Sequence, residues 1–168
     1  HNKSLIIPSE INIPEGVTVI GESAFEGCTA LGKISLPESL TTISSYAFFG
    51  CDSLKTVVMY PNLKTIESYA FYDCAGLEGI ALPEGVTIIK EGTFGECAAL
   101  KTVFIPNTVK TVESAAFAGC DSIKDVYYTA SMFAWYGITW GEDNDDITGA
   151  STGKFNHVHA HTSDVTTE

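Results

Sequence analysis

The sequence predicts a β-rich repeat solenoid closed by a cap at its C-terminal end. Three observations predict it. The five cysteines, Cys28, Cys51, Cys74, Cys97 and Cys120, follow one another at a constant step of 23. The same step carries Phe25, Phe48, Phe71, Phe94 and Phe117, then Leu31, Leu54, Leu77, Leu100 and Ile123, then Ile20, Ile43, Ile66, Ile89 and Val112. After residue 125 the period is lost, and a run rich in large apolar groups follows, from Ser131 to Trp140. A fixed period of this length marks stacked units that cannot bury their apolar faces alone.

The elements follow in order. Residues 1–10 form a partial first turn, in which Leu5-Ile6-Ile7 is expected to cover the first coil. Five units of one period each fill positions 11–125. Each opens on a short alternating strand such as Leu31-x-x-Ile34-x-Leu36, stopped by a proline that cannot donate to a ladder. An extended β-branched segment comes next, Val17-Thr18-Val19-Ile20 in the first unit. Ala24, Phe25 and Cys28 then have the spacing of a short helical or 3₁₀ turn across the outer side. Stacked units place the strands of successive coils in a parallel sheet at about 4.8 Å spacing. The third unit departs from the pattern: Tyr60 holds the proline position and Pro61 follows one residue late. A local distortion, or a re-aimed side chain, is expected there. Residues 126–156 are read as a capping strand and cap module, with a helical turn and a strand laid over the last coil. Residues 157–168 are polar and read as a tail.

Composition narrows the function. The 168 residues carry 21 acids against 9 bases, a formal net charge of −12. Every base is lysine, so nucleic acid is disfavoured as a partner. The missing arginines also remove the bidentate fork that phosphate and carboxylate ligands favour. No run approaches the roughly 18–20 apolar residues of a membrane-spanning helix. The chain begins at His1, as a processed or trimmed piece would.

Four features could carry chemistry. The cysteine ladder lacks C-x-x-C spacing and is odd in number, so it reads as buried free thiols capping backbone carbonyls rather than as a metal site. His157, His159 and His161 would share one side of an extended segment and could hold zinc, nickel or copper. The competing reading there is a solvated tail. In Glu142-Asp143-Asn144-Asp145-Asp146 an EF-hand is rejected, because Thr148 stands where the loop needs glycine and Lys154 where it needs glutamate. That leaves a solvated loop or adventitious calcium. The last feature is the outward row of the strands: Asn12, Ser35, Val58, Ala81, Phe104 and Tyr127. It grows apolar toward the C-terminal half, and Tyr60 is expected near it. Val58, Tyr60, Phe104 and Tyr127 are therefore the partner-binding candidates, with cover of Tyr127 by the cap as the alternative.

The unit L-x-x-I-x-I-P, V-x-x-I-G, A-F-x-x-C resembles the BspA-like (treponemal-type) leucine-rich repeats of bacterial cell-surface proteins. The closing segment Asp125-Val126-Tyr127-Tyr128, then Trp135–Ile138, Gly141–Asn144 and Lys154-Phe155-Asn156, is similar to the closing module of such arrays. The resemblance implies a right-handed leucine-rich-repeat horseshoe, extracellular at the cell surface. It also implies adhesion to a protein, extracellular-matrix or host surface ligand, with no cofactor and no catalysis. A structural spacer in a larger surface protein is the second reading. A metal-dependent accessory domain using the histidine segment is the third.

Overall fold

The computed structural model describes residues 8–148 and 157–160. Each coil contributes short strands because its alternating apolar residues run only a few positions before a proline or turn. They are β1 (Glu10–Asn12) and β2 (Val19–Ile20), β3 (Lys33–Ser35) and β4 (Thr42–Ile43), β5 (Thr65–Ile66) in the third coil, β6 (Gly79–Ala81) and β7 (Ile88–Ile89), then β8 (Thr102–Ile105) and β9 (Thr111–Val112). The C-terminal end adds β10 (Asp125–Tyr128), α1 (Met132–Tyr136), β11 (Thr139–Trp140), α2 (Asp145–Thr148) and β12 (His157–Ala160). All strand pairs are parallel, and within the repeats the register is the sequence period itself, as in Ile34 beside Ile11 and Phe104 beside Ala81.

The predicted columns form the core. Leu31, Leu54, Leu77 and Leu100 are fully buried, as are Phe48, Phe71, Phe94 and Phe117. The phenylalanine rings stack from coil to coil with centroids 4.9–5.6 Å apart. Burying each such side chain is worth about 1.5–3 kcal/mol, and the gain exists only because a neighbouring coil supplies the other half of the contact. Phe25, in the first coil, has a neighbour on one side and is half-buried.

The outer segment is not the helical or 3₁₀ turn expected from the Ala-Phe-x-x-Cys spacing. Its amides alternate between two partners. Ala24, Glu26 and Cys28 donate to carbonyls of their own coil, those of Gly21, Ser23 and Phe25, whereas Ser23, Phe25 and Gly27 donate to Ser45, Ala47 and Phe49 of the next coil. Half of the donors a helix would use are thereby turned toward the neighbour. The arrangement needs left-handed backbone twice per coil, at Ser23, Tyr46, Tyr69, Gly92 and Ala115 and at Gly27, Gly50, Asp73, Glu96 and Gly119.

The third coil is the irregular one. Its inner segment makes a single bridge, Val57 to Ile34, instead of a strand. Among the described residues, neither face has a strand pair between the third and fourth coils: the inner sheet resumes at β6 and the second ladder resumes at β7. The late proline explains some of this. Pro61 sits where Glu38 sits one coil earlier, and the backbone there presses on the fourth coil. A Cβ at Gly85 would run into the Leu63 carbonyl oxygen and lie 3.0 Å from that of Pro61, so only glycine fits. Two ion pairs bridge the seam, Lys55 to Glu78 at 3.2 Å and Lys90 to Glu67 at 2.6 Å. The outer turns also remain joined across it, Tyr69, Phe71 and Asp73 donating to Glu91, Thr93 and Gly95.

The cap holds the helical turn and strand expected of it. Ser131 caps α1 by accepting from the Ala134 amide, and Trp135 packs against Tyr128 and Trp140 over the last coil. The acidic run has a definite structural task. In the repeats Gly92, Phe94 and Glu96 donate to the next coil, and the last coil has no successor. Instead the Glu142 carbonyl accepts from Ala115 at 2.8 Å, Asn144 Oδ1 accepts from Phe117 at 3.1 Å and Asp146 Oδ2 accepts from Gly119 at 2.9 Å. The Asn144 amide group also donates to the carbonyls of Glu113, Gly141 and Glu142.

The reading of 157–168 as tail is corrected for residues 157–160. They form β12, which extends the inner sheet by pairing Val158 with Val126 and His159 with Tyr127. A closing strand at Lys154-Phe155-Asn156 and the cover from Leu5-Ile6-Ile7 both lie outside the described residues.

Candidate functional site

The inner sheet turns one side of each strand to the core and the other outward, because successive residues alternate. Ile34, Val57, Ile80, Val103 and Val126 point in and are buried. Of the outward row, Val58 is 63% exposed and Phe104 44% exposed, values that set them apart from the core. Tyr127 is half-buried between two rings: Phe104 stacks on one side with centroids 4.5 Å apart, and His159 on the other at 4.6 Å. The cover on Tyr127 thus comes from β12. His159 Nε2 also lies 3.2 Å from Asp125 Oδ1.

Tyr60 is half-buried and does not join the three-ring stack. It lines a small recess of about 160 Å³ with Val58, Lys33 and Leu36, on the side of the third coil toward the second. On the other side of the same coil lies a larger cavity of about 370 Å³. Phe104, Ala81 and Met59 line it together with Pro61, Pro83 and Pro106. The sequence signal for this cavity is the late proline, Pro61, which says nothing by itself of Met59. A wider groove of about 420 Å³ runs beside Trp140 on the second ladder. Its two glutamates already serve the backbone and a tyrosine: Glu113 accepts from the Glu91 amide and Glu91 from the Tyr69 hydroxyl.

The outer turns hold a second aromatic group that the sequence reading missed. Tyr46 stacks on Tyr69 at 5.4 Å and Phe49 on Tyr72 at 5.4 Å. The rings of Tyr69 and Tyr72 lie over Gly92 and Gly95 of the next coil, filling the space a side chain would take. The stacks run from Tyr46 and Phe49 through Tyr69 and Tyr72 onto that glycine floor, so the group ties the second, third and fourth coils together.

The histidine segment does not come together as a metal site among the described residues. His159 is engaged with Tyr127 and Asp125. The side chain of His157 is not described, and His161 lies outside the described residues.

The cysteines are all free and buried. Each thiol from Cys51 onward donates to a phenylalanine carbonyl of the preceding coil, at 3.0–3.2 Å, as in Cys74 to Phe48. Burial pushes the Cys51 thiol up to about 12, and it raises Cys74 as well. Cys97 is raised by its interaction with the Cys120 thiol and by burial. These are inert thiols, since a nucleophile needs the thiolate. A pH prediction follows from the sign. Unfolded, Cys51 and Cys74 ionise near pH 9, while in the native protein both stay protonated at that pH, so the unfolded chain sheds these protons first. The stability linked to Cys51 and Cys74 is fully present below about pH 8 and is lost progressively above about pH 9, by about 1.4 kcal/mol per pH unit for each of these two thiols. Urea midpoints at pH 8, 9.5 and 10.5 measure this; equal midpoints would contradict it.

The profile of the BspA type leucine-rich repeat region matches residues 4–131 in six copies. The chain belongs to the BspA-type leucine-rich-repeat family. Solved structures agree with this BspA-type assignment. A leucine-rich-repeat protein of T. pallidum is 32% identical with a TM-score of 0.70, covering 79% of this chain and 60% of its own. One from Bacteroides ovatus is 33% identical with a TM-score of 0.66, covering 82% of this chain and 38% of its own. The pneumococcal vaccine antigen PcpA is 22% identical with a TM-score of 0.68 over 91% of this chain and 36% of its own, and shows the fold alone. This BspA-type chain therefore spans less than two thirds of those relatives. No curated protein matches it. No helix among the described residues is long and apolar enough to cross a membrane, and nothing among them indicates catalysis.

Proposed function

We propose that this BspA-type array is a non-catalytic, cell-surface binding module that holds a protein or extracellular-matrix ligand on its inner sheet. The observation that supports it is the exposure of Val58 and Phe104 on a sheet face whose earlier coils carry Asn12 and Ser35 at the same position. Large apolar groups gain nothing from water there, and a partner that covers them gains about 25 cal/mol for each Å² buried. Tyr127 backs Phe104 and fixes its ring, and Tyr60 borders Val58 across the small recess. The surface location rests on the family resemblance. The histidine and acidic segments are not needed in this reading, because Asn144 and Asp146 are occupied in closing the array.

The test is solution binding to a panel of matrix proteins and mucins, comparing the protein with Val58→Ser/Phe104→Ser. Both positions are exposed, so the variant keeps its circular dichroism spectrum. Saturable binding that weakens at least tenfold in the variant is the expected result. Equal binding by both proteins would move the contact off Val58 and Phe104, and binding by neither would move the assignment to a structural spacer.

A further inference from the structure

The break at the third coil does more than interrupt the sheet. In regular coils the residue before the proline points into the core: Leu36 is 6% exposed and Ile105 is fully buried. Met59 holds that position in the third coil and is half-exposed, because its coil forms no strand and its proline arrives late. Next to it Ala81 is small where Phe104 follows, so one face of the Phe104 ring is left open over Ala81. Pro61, Pro83 and Pro106 come from three successive coils and complete the rim of the 370 Å³ cavity. A methionine beside an aromatic ring is adaptable and suits side chains of varied shape.

The polar groups of the cavity are few. Thr129 already accepts from the Asn107 amide. Glu84 is exposed, makes no ion pair or hydrogen bond among the described residues, and is the single charged group in the lining. Lys55, Lys101 and Lys124 precede the inner strands, at the far end from Glu84, which follows one. A sugar would bring many hydroxyls to a wall that offers almost no partners. An apolar side chain with a cation beside it matches both the wall and the charge.

Building on the reading of the inner sheet as the binding face, we propose that the cavity between the third and fifth coils is its anchor pocket, which takes one bulky apolar side chain of a basic peptide segment, with a flanking lysine or arginine paired to Glu84.

The protein contains two methionines, Met59 in the cavity and Met132 in the cap, so ¹³C-methyl labelling gives one reporter and one internal control. The probes are the synthetic peptides Gly-Lys-Trp-Lys-Gly, Gly-Glu-Trp-Glu-Gly and Gly-Lys-Ala-Lys-Gly, and an N-acetylglucosamine hexamer. The expected result is a saturable shift of the Met59 methyl with the lysine–tryptophan peptide, at least tenfold weaker binding of the other two peptides, and a still Met132 signal. Glu84→Lys should reverse the preference between lysine and glutamate flanks. Ala81→Phe, which fills the cavity from an exposed strand position, should abolish the Met59 response while Met132 and the circular dichroism stay unchanged. No saturable Met59 shift, indifference to the flanking charge, or a larger response to the hexamer would overturn the proposal. If the protein still binds a matrix ligand through Val58 and Phe104 while Met59 stays silent, the inner face stands and the anchor pocket falls. If ligand binding survives the Val58/Phe104 variant, the inner-face reading itself fails.

Discussion

Phe71→Ala is expected to destabilise the protein by about 4 kcal/mol, the middle of the range for a buried aromatic. The ring is fully buried and sandwiched, 4.9 Å from Phe48 and 5.6 Å from Phe94. Removing it loses transfer energy, two stacking contacts and the packing of the cavity left behind. Its location makes the effect more than local. In a solenoid each coil is stabilised by its neighbours, and here the third and fourth coils share no strand pair among the described residues. The ring stack and outer turns carry much of their coupling. Unfolding should therefore stop being a single transition. Trp135 and Trp140 both lie in the cap, so their fluorescence follows the C-terminal block, while circular dichroism follows every coil. In urea the two probes should coincide for the parent protein and separate for Phe71→Ala. Phe25→Ala serves as the comparison: half-buried with one ring neighbour, it should cost less than half as much and leave the probes coincident. Equal costs at the two positions would contradict the nearest-neighbour account.

Asn144→Ala should cost about 3 kcal/mol, through buried hydrogen-bonding groups left unpaired. Asn144 is 3% exposed and uses both ends of its amide. Its oxygen accepts from Phe117 and its nitrogen donates to Glu113, Gly141 and Glu142. Alanine strands the Phe117 amide and takes the Asn144 donor from the Gly141 carbonyl, while the Glu113 carbonyl keeps only its longer bond from the Ala116 amide at 3.4 Å. Asn144→Asp separates the two halves of the role. It keeps the acceptor for Phe117 but sets a carboxylate against three carbonyl oxygens, so near pH 7 it should be at least as harmful as alanine. Below about pH 4 the carboxyl regains a proton to donate, and the aspartate variant should recover relative to alanine. Tryptophan fluorescence in urea and hydrogen exchange at Phe117 measure both effects. An aspartate variant as stable as the parent at pH 7 would remove Asn144 from the closing role.

The array is legible in the sequence because a period needs no knowledge of geometry. Columns such as Phe48, Phe71 and Phe94 have to meet if equal units stack, and the thiols follow the same logic. The outer turn is harder to read. Ala24, Phe25 and Cys28 have a spacing that serves a helical turn and an alternating one equally, and the choice depends on carbonyls of the neighbouring coil, such as Ala47 for Phe25. β12 is hidden by its offset. It sets His157 beside Asp125, a longer step than the repeat period, because the cap lies between the two strands. Its histidines also read as polar tail, although Val158 aligns with Val126 and His159 with Tyr127. At the candidate site Val58 and Phe104 can be placed from alternation alone. The pocket cannot, since Met59 is opened by a backbone change that Pro61 signals but does not describe. The acidic run misleads for a related reason: Asn144 and Asp146 look like solvated loop residues until the amides of Phe117 and Gly119 need acceptors.

The seam between the third and fourth coils gives the array a place to yield. From the fourth coil onward, tension along its axis would have to pull apart both ladders of backbone bonds at once. Here it meets the outer turns, one inner backbone bond from the Glu78 amide to the Lys55 carbonyl, the side-chain stack and a pair of lysine–glutamate bridges that remain within reach of solvent ions. Mobile ions screen such bridges over a distance of about 8 Å at physiological ionic strength. The stiffness of this stretch of solenoid is therefore set partly by the surrounding electrolyte, so a partner held across the seam would feel the salinity of its medium through the protein's backbone.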